Sequence, residues 1–321
     1  MNSIPKVRKA IIPTAGRGTR QYPASSLVRK EMFPLVDRDG LAKPIIQIII
    51  EEAIESGMEE ICIVTAPGVE PAYRNYFRGL DDHAIKSFGG KEWAVRESRK
   101  LAEIGQRLHF VEQDSPQGFG HAVYQAKRFV GDEPFLLLLG DHVYISKIKD
   151  RCARQLIDVF EENVLEAVTG VHLTRESELH LFGVIQPTLI DASRGIYRAD
   201  LIVEKPSIEL ARAKLSVPGI SAGNYLAHFG THVFSPRIFD SLEYLISNDI
   251  RENGEIQLTA AQEHLRQQTG KYWCLEILGE PYDTGIPRGL IQTQLALALN
   301  GVYRDDIHKD MGRDLFAQTK F

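Results

Sequence analysis

Several short segments of the chain carry side chains suited to handling a phosphate-bearing ligand. Ala15-Gly16-Arg17-Gly18-Thr19-Arg20 follows an apolar run over residues 8–15. Two glycines let the backbone turn tightly and present N–H groups to an anion. Arg20 adds a guanidinium fork that suits phosphate oxygens. The loop lacks the third glycine of a dinucleotide fingerprint and the Gly-Lys-Ser/Thr of a Walker loop. Taken alone, it is equally a plain tight turn. Lys30, in Lys30-Glu31-Met32-Phe33-Pro34-Leu35, stands ten residues past Arg20 and can reach the same phosphates. A lone lysine is more often a solvated surface group.

Asp141 directly follows the run Leu136–Gly140. A carboxylate at the end of a buried strand is placed to hold a hard cation, and Mg²⁺ takes one or two carboxylates plus substrate phosphates. The plainer reading of Asp141 is a helix N-cap. Asp283, in Tyr282-Asp283-Thr284-Gly285, is a candidate partner, but sequence separation hides whether the two meet. Glu204-Lys205-Pro206 sets an acid and a base beside a rigid proline. The acid can take sugar hydroxyls and the lysine a sugar phosphate; otherwise the segment is a surface turn with an ion pair. His121 and His142 adjoin these segments. His228 and His232 sit in a strand-like run, Ala227–Phe234, where the spacing puts them on one face but some distance apart. Packing, not zinc, is expected there. No Ser-His-Asp or Cys-His pattern of nucleophilic catalysis is evident.

These residues need elements to position them. Apolar runs at 8–15, 60–66, 109–113 and 134–140 read as strands, buried throughout, and segments 45–56, 91–104 and 120–130 read as helices between them. Pro44 opens the first helix and Gly57 closes it. Strands apolar on both faces, alternating with helices, predict a doubly wound, mostly parallel, Rossmann-like α/β sheet with helices on both faces. Strands near 166–172, 182–187, 196–204 and 226–234 and helices near 236–246, 255–268 and 286–299 are expected in the second half. In such a sheet, ligands bind outside the carboxyl ends of the strands. That is where the glycine loop, the Gln113–Gly118 segment, Asp141 and Glu204 fall. No linker or repeat divides the chain. A single domain is expected over 1–321, ending in a polar tail at 301–321, a loose arm or an oligomer contact.

Composition narrows the classes. The 321 residues are 43% hydrophobic and 25% charged, with a formal net charge of −5 and no long basic run. This argues against duplex binding, which rests on phosphate neutralisation. It leaves open a small anionic ligand, for which a few local cations suffice. The three cysteines are scattered and in no CxxC pattern, so a reducing, cytoplasmic setting is expected. The N-terminus lacks the apolar core of a signal peptide. No apolar run is long enough to span a bilayer.

Each motif is modest, but their order is specific: GxGTR, KEMxPL, KP opening a helix, QxxxxGxGHAV, GD, VEKP, GEIQLT, DTG. In this order they resemble the sugar-phosphate nucleotidyltransferase family over about residues 10–300, and within it the enzymes that act on UTP and glucose 1-phosphate. The resemblance implies the nucleotidyltransferase fold, a nucleotide-binding half at about 8–145 and a sugar-phosphate half at about 146–300, Mg²⁺ as cofactor and a homodimer or homotetramer. It also implies roles. Ala15, Gly16, Gly18, Thr19 and Arg20 would wrap the triphosphate, and Lys30 would steady phosphates in the transition state. Gln113 and Gly118 would read the uracil edge. Asp141 and Asp283 would hold the metal. Gly183 would lie close to the glucose, Glu204 would bind its hydroxyls, and Lys205 its phosphate. Arg20, Lys30 and Lys205 are then the catalytic cations.

The sequence departs from the family pattern twice. Arg38-Asp39-Gly40-Leu41-Ala42 is inserted before Lys43-Pro44, an addition that is thermodynamically cheap and expected to reshape the rim of the site. The family's DCGNKxGY reads Asp283-Thr284-Gly285-Ile286-Pro287-Arg288-Gly289-Leu290 here, with Arg288 displaced by one from the missing lysine. DTG also resembles thymidylyltransferases, so the same chemistry on another base or sugar is an alternative. A silent nucleotide-sugar-binding subunit is a further one, disfavoured because it has no need of all five of Arg20, Lys30, Asp141, Lys205 and Asp283.

Overall fold

A computed structural model of the protein describes residues 6–313. Its strands are β1 (Lys9–Pro13), β2 (Pro34–Val36), β3 (Ala42–Pro44), β4 (Glu60–Thr65), β5 (Leu108–Glu112), β6 (Phe135–Leu138), β7 (His142–Ser146), β8 (Ala167–Arg175), β9 (Gly183–Asp191), β10 (Ile196–Glu204), β11 (Asn224–Phe234), β12 (Tyr272–Glu276) and β13 (Gly279–Asp283). Nine of them form one sheet in the order β5-β4-β1-β6-β11-β8-β12-β10-β9. Following the pairings from β1, seven of the nine point the same way and only β10 and β11 run opposite. The expected doubly wound, mostly parallel α/β architecture is therefore present.

Burial explains the unbroken apolar strands. Ala10 and Ile12 of β1 face one core with Ile46, Ile49, Ile50 and Leu156, while Ile11 faces another with Val64, Val123, Phe135 and Phe239. Helices Ile45–Glu55 and Cys152–Glu162 cover the first face; Phe119–Gln125, Ile238–Ser247 and Leu258–Thr269 cover the second. Each fully buried Ile, Leu or Phe contributes about 1.5–3 kcal/mol relative to exposure. The three cysteines are free and buried. No helix among the described residues is long and apolar enough to cross a membrane.

The two halves share the sheet through β11, which pairs antiparallel with β6 over Thr231–Phe234 and with β8 along its length. It also meets β9 at Leu226 and Ala227, so the second half of the sheet curls back on itself. A register break between His228 and His232, with Gly230 at φ 88°, makes this bend possible. It also corrects the expectation for these histidines: their ring centroids are 5.3 Å apart, not separated as four residues of regular strand would set them.

Other expectations shift in detail. The helix expected at 120–130 breaks at Ala126 into Phe119–Gln125 and Lys127–Val130. The inserted residues 38–42 do not reach the cavity described below. They form the turn of the β2–β3 hairpin, whose tip packs on Gly301, Val302 and Tyr303, with Val302 N donating to Arg38 O at 2.9 Å. The tail is helical at its start, over Arg304–Arg313. The rest of the expected arm, 314–321, lies outside the described residues.

Candidate active site

The carboxyl ends of β1, β5 and β6 surround a cavity of about 470 Å³. Ala15, Gly16, Lys30, Gln113, Gly118 and Asp141 all line it. The glycine loop lies over the lysine: a Cβ on Gly18, which sits at φ 66°, would be 3.4 Å from the Lys30 stem. Only glycine adopts that backbone cheaply. Lys30 Nζ forms an ion pair with Asp141 Oδ2. Both side chains are mostly buried, so the pair is weakly screened. Gly140 lets β6 end against β1, since a Cβ there would collide with the Pro13 carbonyl and Thr14.

Asp141 and Asp283 do meet. β7 and β13 pair antiparallel, with Asp283 opposite His142. Ligand atoms of Asp141, His142 and Asp283 lie within 4.8 Å of one another. This is the only such metal-capable group among the described residues. Thr284 fixes the arrangement, donating through its N–H at 2.8 Å and its hydroxyl at 2.7 Å to the Asp141 carbonyl. Gly285 keeps the middle open: a Cβ there would lie 2.6 Å from Asp141 Oδ2 and 2.8 Å from Asp283 Oδ1. Burial alone would raise the Asp141 pKa, but the His142 hydrogen bond at 3.1 Å and the Lys30 charge hold it well below the usual carboxylate range. It is a charged, hard oxygen donor at neutral pH. Arg20 reaches this group rather than the cavity wall, with Nη1 3.9 Å from Asp283 Oδ2. Thr19 is exposed, and Arg288 is exposed at the start of helix Pro287–Leu299, away from the cavity lining.

On the opposite wall, buried Gln113 sits 3.3 Å from the Gly118 carbonyl and 2.9 Å from His121 Nδ1. His121 also contacts Gln125, so it orients Gln113 and does not line the cavity itself. Gly118, at φ 120°, and Gly120 dock onto Ile256, where a Cβ would come within 2.7 and 2.9 Å of its carbonyl. Gly120 N donates to Ile256 O at 2.9 Å.

Gly183, Glu204 and Lys205 form a second group. Gly183 pairs with Glu204 across β9 and β10. A Cβ on Gly183 would lie 2.8 Å from His228 Nδ1 and 3.2 Å from Glu204 Oε2. Lys205 Nζ is 3.3 Å from Glu204 Oε1. Lys205 adopts φ 44°, a conformation non-glycine residues rarely take and one that clusters at functional turns. Thr259 donates to Glu204 Oε2 at 2.6 Å. Segment 255–259 therefore touches both groups, Gly118 and Gly120 at one end and Glu204 at the other. GEIQLT shows no such linking role in the sequence, and His142, which the sequence sets beside the metal segment, becomes a candidate metal ligand only with Asp283 opposite it. Both depend on pairings distant in sequence.

An anion loop, a lysine, a carboxylate pair and a polar wall at the carboxyl edge of a doubly wound sheet define a nucleotide-handling transferase. The nucleotidyl transferase family model matches residues 9–298, and the chain belongs to that family. The chain is 37% identical over 301 residues to the UTP–glucose-1-phosphate uridylyltransferase of Bacillus subtilis, covering 92% of each chain. It is 34% identical to UTP–glucose-1-phosphate uridylyltransferase 1 of Staphylococcus saprophyticus, covering 93% of this chain and 95% of that one. The UTP-bound UGPase from Acinetobacter baumannii superposes with a TM-score of 0.74 at 26% identity, over 96% of this chain and 99% of that one. A UDP-glucose pyrophosphorylase complexed with UDP-glucose gives 0.72 at 26%, over 90% and 98%.

Proposed function

We propose that this chain transfers the uridylyl group of UTP to glucose 1-phosphate, giving UDP-glucose and pyrophosphate. One observation carries the reading: the cavity that holds the glycine loop, Lys30, Asp141 and Gln113 is tied through segment 255–259 to Gly183, Glu204 and Lys205. Two polar groups of different character, linked by one segment, suit two substrates.

An oxygen of the sugar phosphate attacks the α-phosphorus of UTP. A new phosphorus–oxygen bond forms as the bond from the α-phosphorus to the β-phosphate's bridging oxygen breaks, and pyrophosphate leaves with that electron pair. A phosphomonoester, with its second pKa of about 6, is already largely ionised at pH 7. No general base is required. The difficulty is bringing two polyanions together, so catalysis is positioning and charge neutralisation. The backbone of Ala15–Thr19 supplies fixed N–H dipoles; Arg20 and Lys30 neutralise the triphosphate, and Lys205 the sugar phosphate. Gln113 and the Gly118 backbone face the base, and Glu204 the sugar hydroxyls. Asp141 and Asp283, with His142 beside them, fit Mg²⁺ by donor type, spacing and the open space at Gly285. When bound there, Mg²⁺ would supply positive charge to offset that of the phosphates. The family resemblance extends the proposal to a homodimer or homotetramer, which sedimentation of the purified chain measures.

The test is pyrophosphate release from purified protein with Mg²⁺, one nucleoside triphosphate at a time and a panel of sugar 1-phosphates. Release with UTP and glucose 1-phosphate well above dTTP or other sugars supports the reading. Release with another pair keeps the mechanism and replaces the substrates. Folded protein that releases none overturns it.

A further inference from the structure

Arg29 precedes Lys30 and has no counterpart among the motif residues, yet it touches the phosphate loop directly. Its Nη2 donates to the Thr14 carbonyl at 2.6 Å and to the Gly16 carbonyl at 2.9 Å. Its Nε donates to Glu31 Oε1 at 3.1 Å. Glu31 is 1% exposed and also accepts from the Tyr73 hydroxyl at 3.1 Å. Tyr73 is fully buried in helix Glu70–Phe77. A strut of three side chains therefore runs from the buried face of helix Glu70–Phe77 to the carbonyl side of the loop, and its members Arg29 and Glu31 flank Lys30 in sequence.

The chemistry suits this placement. A guanidinium is planar, permanently charged and rich in donors, so it can hold two carbonyls and a carboxylate at once. Carbonyl oxygens left free beside a triphosphate would repel it. Bound by Arg29, they are turned away and neutralised, and the loop's N–H groups remain for the ligand. Because Arg29 is only partly exposed and Glu31 is buried, the bonds are not diluted by solvent as a surface pair is.

We propose that Arg29, braced by Glu31 and Tyr73, is a positioning residue that fixes the phosphate loop relative to Lys30 for the nucleotide substrate. This rests on the uridylyltransferase reading for the identity of that nucleotide. Arg29 does not itself touch substrate.

Arg29→Ala, Arg29→Lys and Tyr73→Phe are compared with wild type in steady-state kinetics, UTP-binding calorimetry without sugar phosphate, and thermal unfolding. Arg29→Ala is expected to lower kcat/KM for UTP by on the order of 10–100-fold, since a displacement of about 1 Å in an active site can cost that much. UTP binding weakens in parallel, and KM for glucose 1-phosphate changes by less than about threefold by the same argument. Arg29→Lys recovers part of the loss, because an ammonium reaches one carbonyl but has no fork. Tyr73→Phe, which leaves the carbonyl contacts intact, loses less than Arg29→Ala. Unchanged UTP kinetics and binding in folded Arg29→Ala overturns the proposal. So does a loss shared equally by both substrates, tracking a lowered unfolding temperature and not recovered in Arg29→Lys. Wild-type protein that binds UTP but releases no pyrophosphate overturns the transferase reading instead, and the positioning role is then judged on UTP binding alone. Wild type that does not bind UTP overturns both.

Discussion

Lys30 and Asp141 form an ion pair in the wall of the cavity, so each is both a proposed site residue and the other's counter-charge. Removing one group that stabilises developing charge commonly costs on the order of 10²–10³ in rate. Lys30→Ala is expected to lose that much in kcat while keeping its circular-dichroism spectrum; near-wild-type turnover would show that the lysine only balances Asp141. Gly285 offers a cleaner probe of the cation site, because its substitution leaves every charge in place. A methyl group there would sit under 3 Å from an oxygen of each carboxylate. Gly285→Ala should raise the Mg²⁺ concentration for half-maximal activity by about tenfold, the rate equivalent of a 1.4 kcal/mol distortion. An unaltered Mg²⁺ titration would place the cation elsewhere.

At the scale of elements, the β2–β3 hairpin carries a charge network that the inserted residues help to build. Lys43 is 3% exposed and lies 2.7 Å from Asp37, 2.6 Å from Asp39 and 3.0 Å from Glu51 of helix Ile45–Glu55. Burial opposes its protonation, but three carboxylates more than offset this and hold its pKa above the usual lysine value. Removing one partner of a buried pair costs about 3–5 kcal/mol, because the charge left behind is uncompensated. Lys43→Met is expected to lower stability to urea by about that amount. Asp39 is at the exposed rim of the network, and Asp39→Asn should cost less than about 1 kcal/mol. Equal losses for the two variants would mean the network is not buried in solution. Gln294 of helix Pro287–Leu299 bonds both the N–H and the carbonyl of Val36, at 2.9 and 3.1 Å. Gly289 in the same helix packs on the Asp283 backbone. One helix thus braces the hairpin at its middle and the metal-capable aspartate at its start.

Across the whole molecule, the curled second half of the sheet buries histidines. Burial pushes the His172 and His228 pKa values down to about 4, with Glu204 partly opposing it at His228. Unfolded histidines titrate near 6.5. Between those values the unfolded state binds more protons, so stability is intact above about pH 6.5 and falls as pH drops towards 4. The depressed carboxyl of Asp141 acts in the same direction, but its contribution is lost only below the unfolded aspartate value near 3.9. Urea midpoints at pH 7 and pH 5 therefore separate the histidines from Asp141. The midpoint should be lower at pH 5, and the difference should shrink in His172→Gln. A midpoint independent of pH over this range would show that the histidines are solvated.

The sequence by itself determined the class of fold and singled out several residues that line the cavity. Unbroken apolar runs at β1, β4 and β6 require burial on both faces, and a glycine pair after β1 requires a tight loop; these are short-range signals that survive without coordinates. The order of motifs supplied the family. Tertiary structure alone decided who meets whom. Asp283 reaches Asp141 only because β13 pairs with β7. His228 approaches His232 only because β11 is bulged at Gly230. Residues 38–42 turn to the C-terminal segment instead of the cavity, and Arg29 reaches back to the loop it follows. Each of these depends on packing between segments far apart in the chain or on a local break in regular geometry. Residue propensity and periodicity reach only a few positions along the chain, so neither kind of event leaves a mark in them.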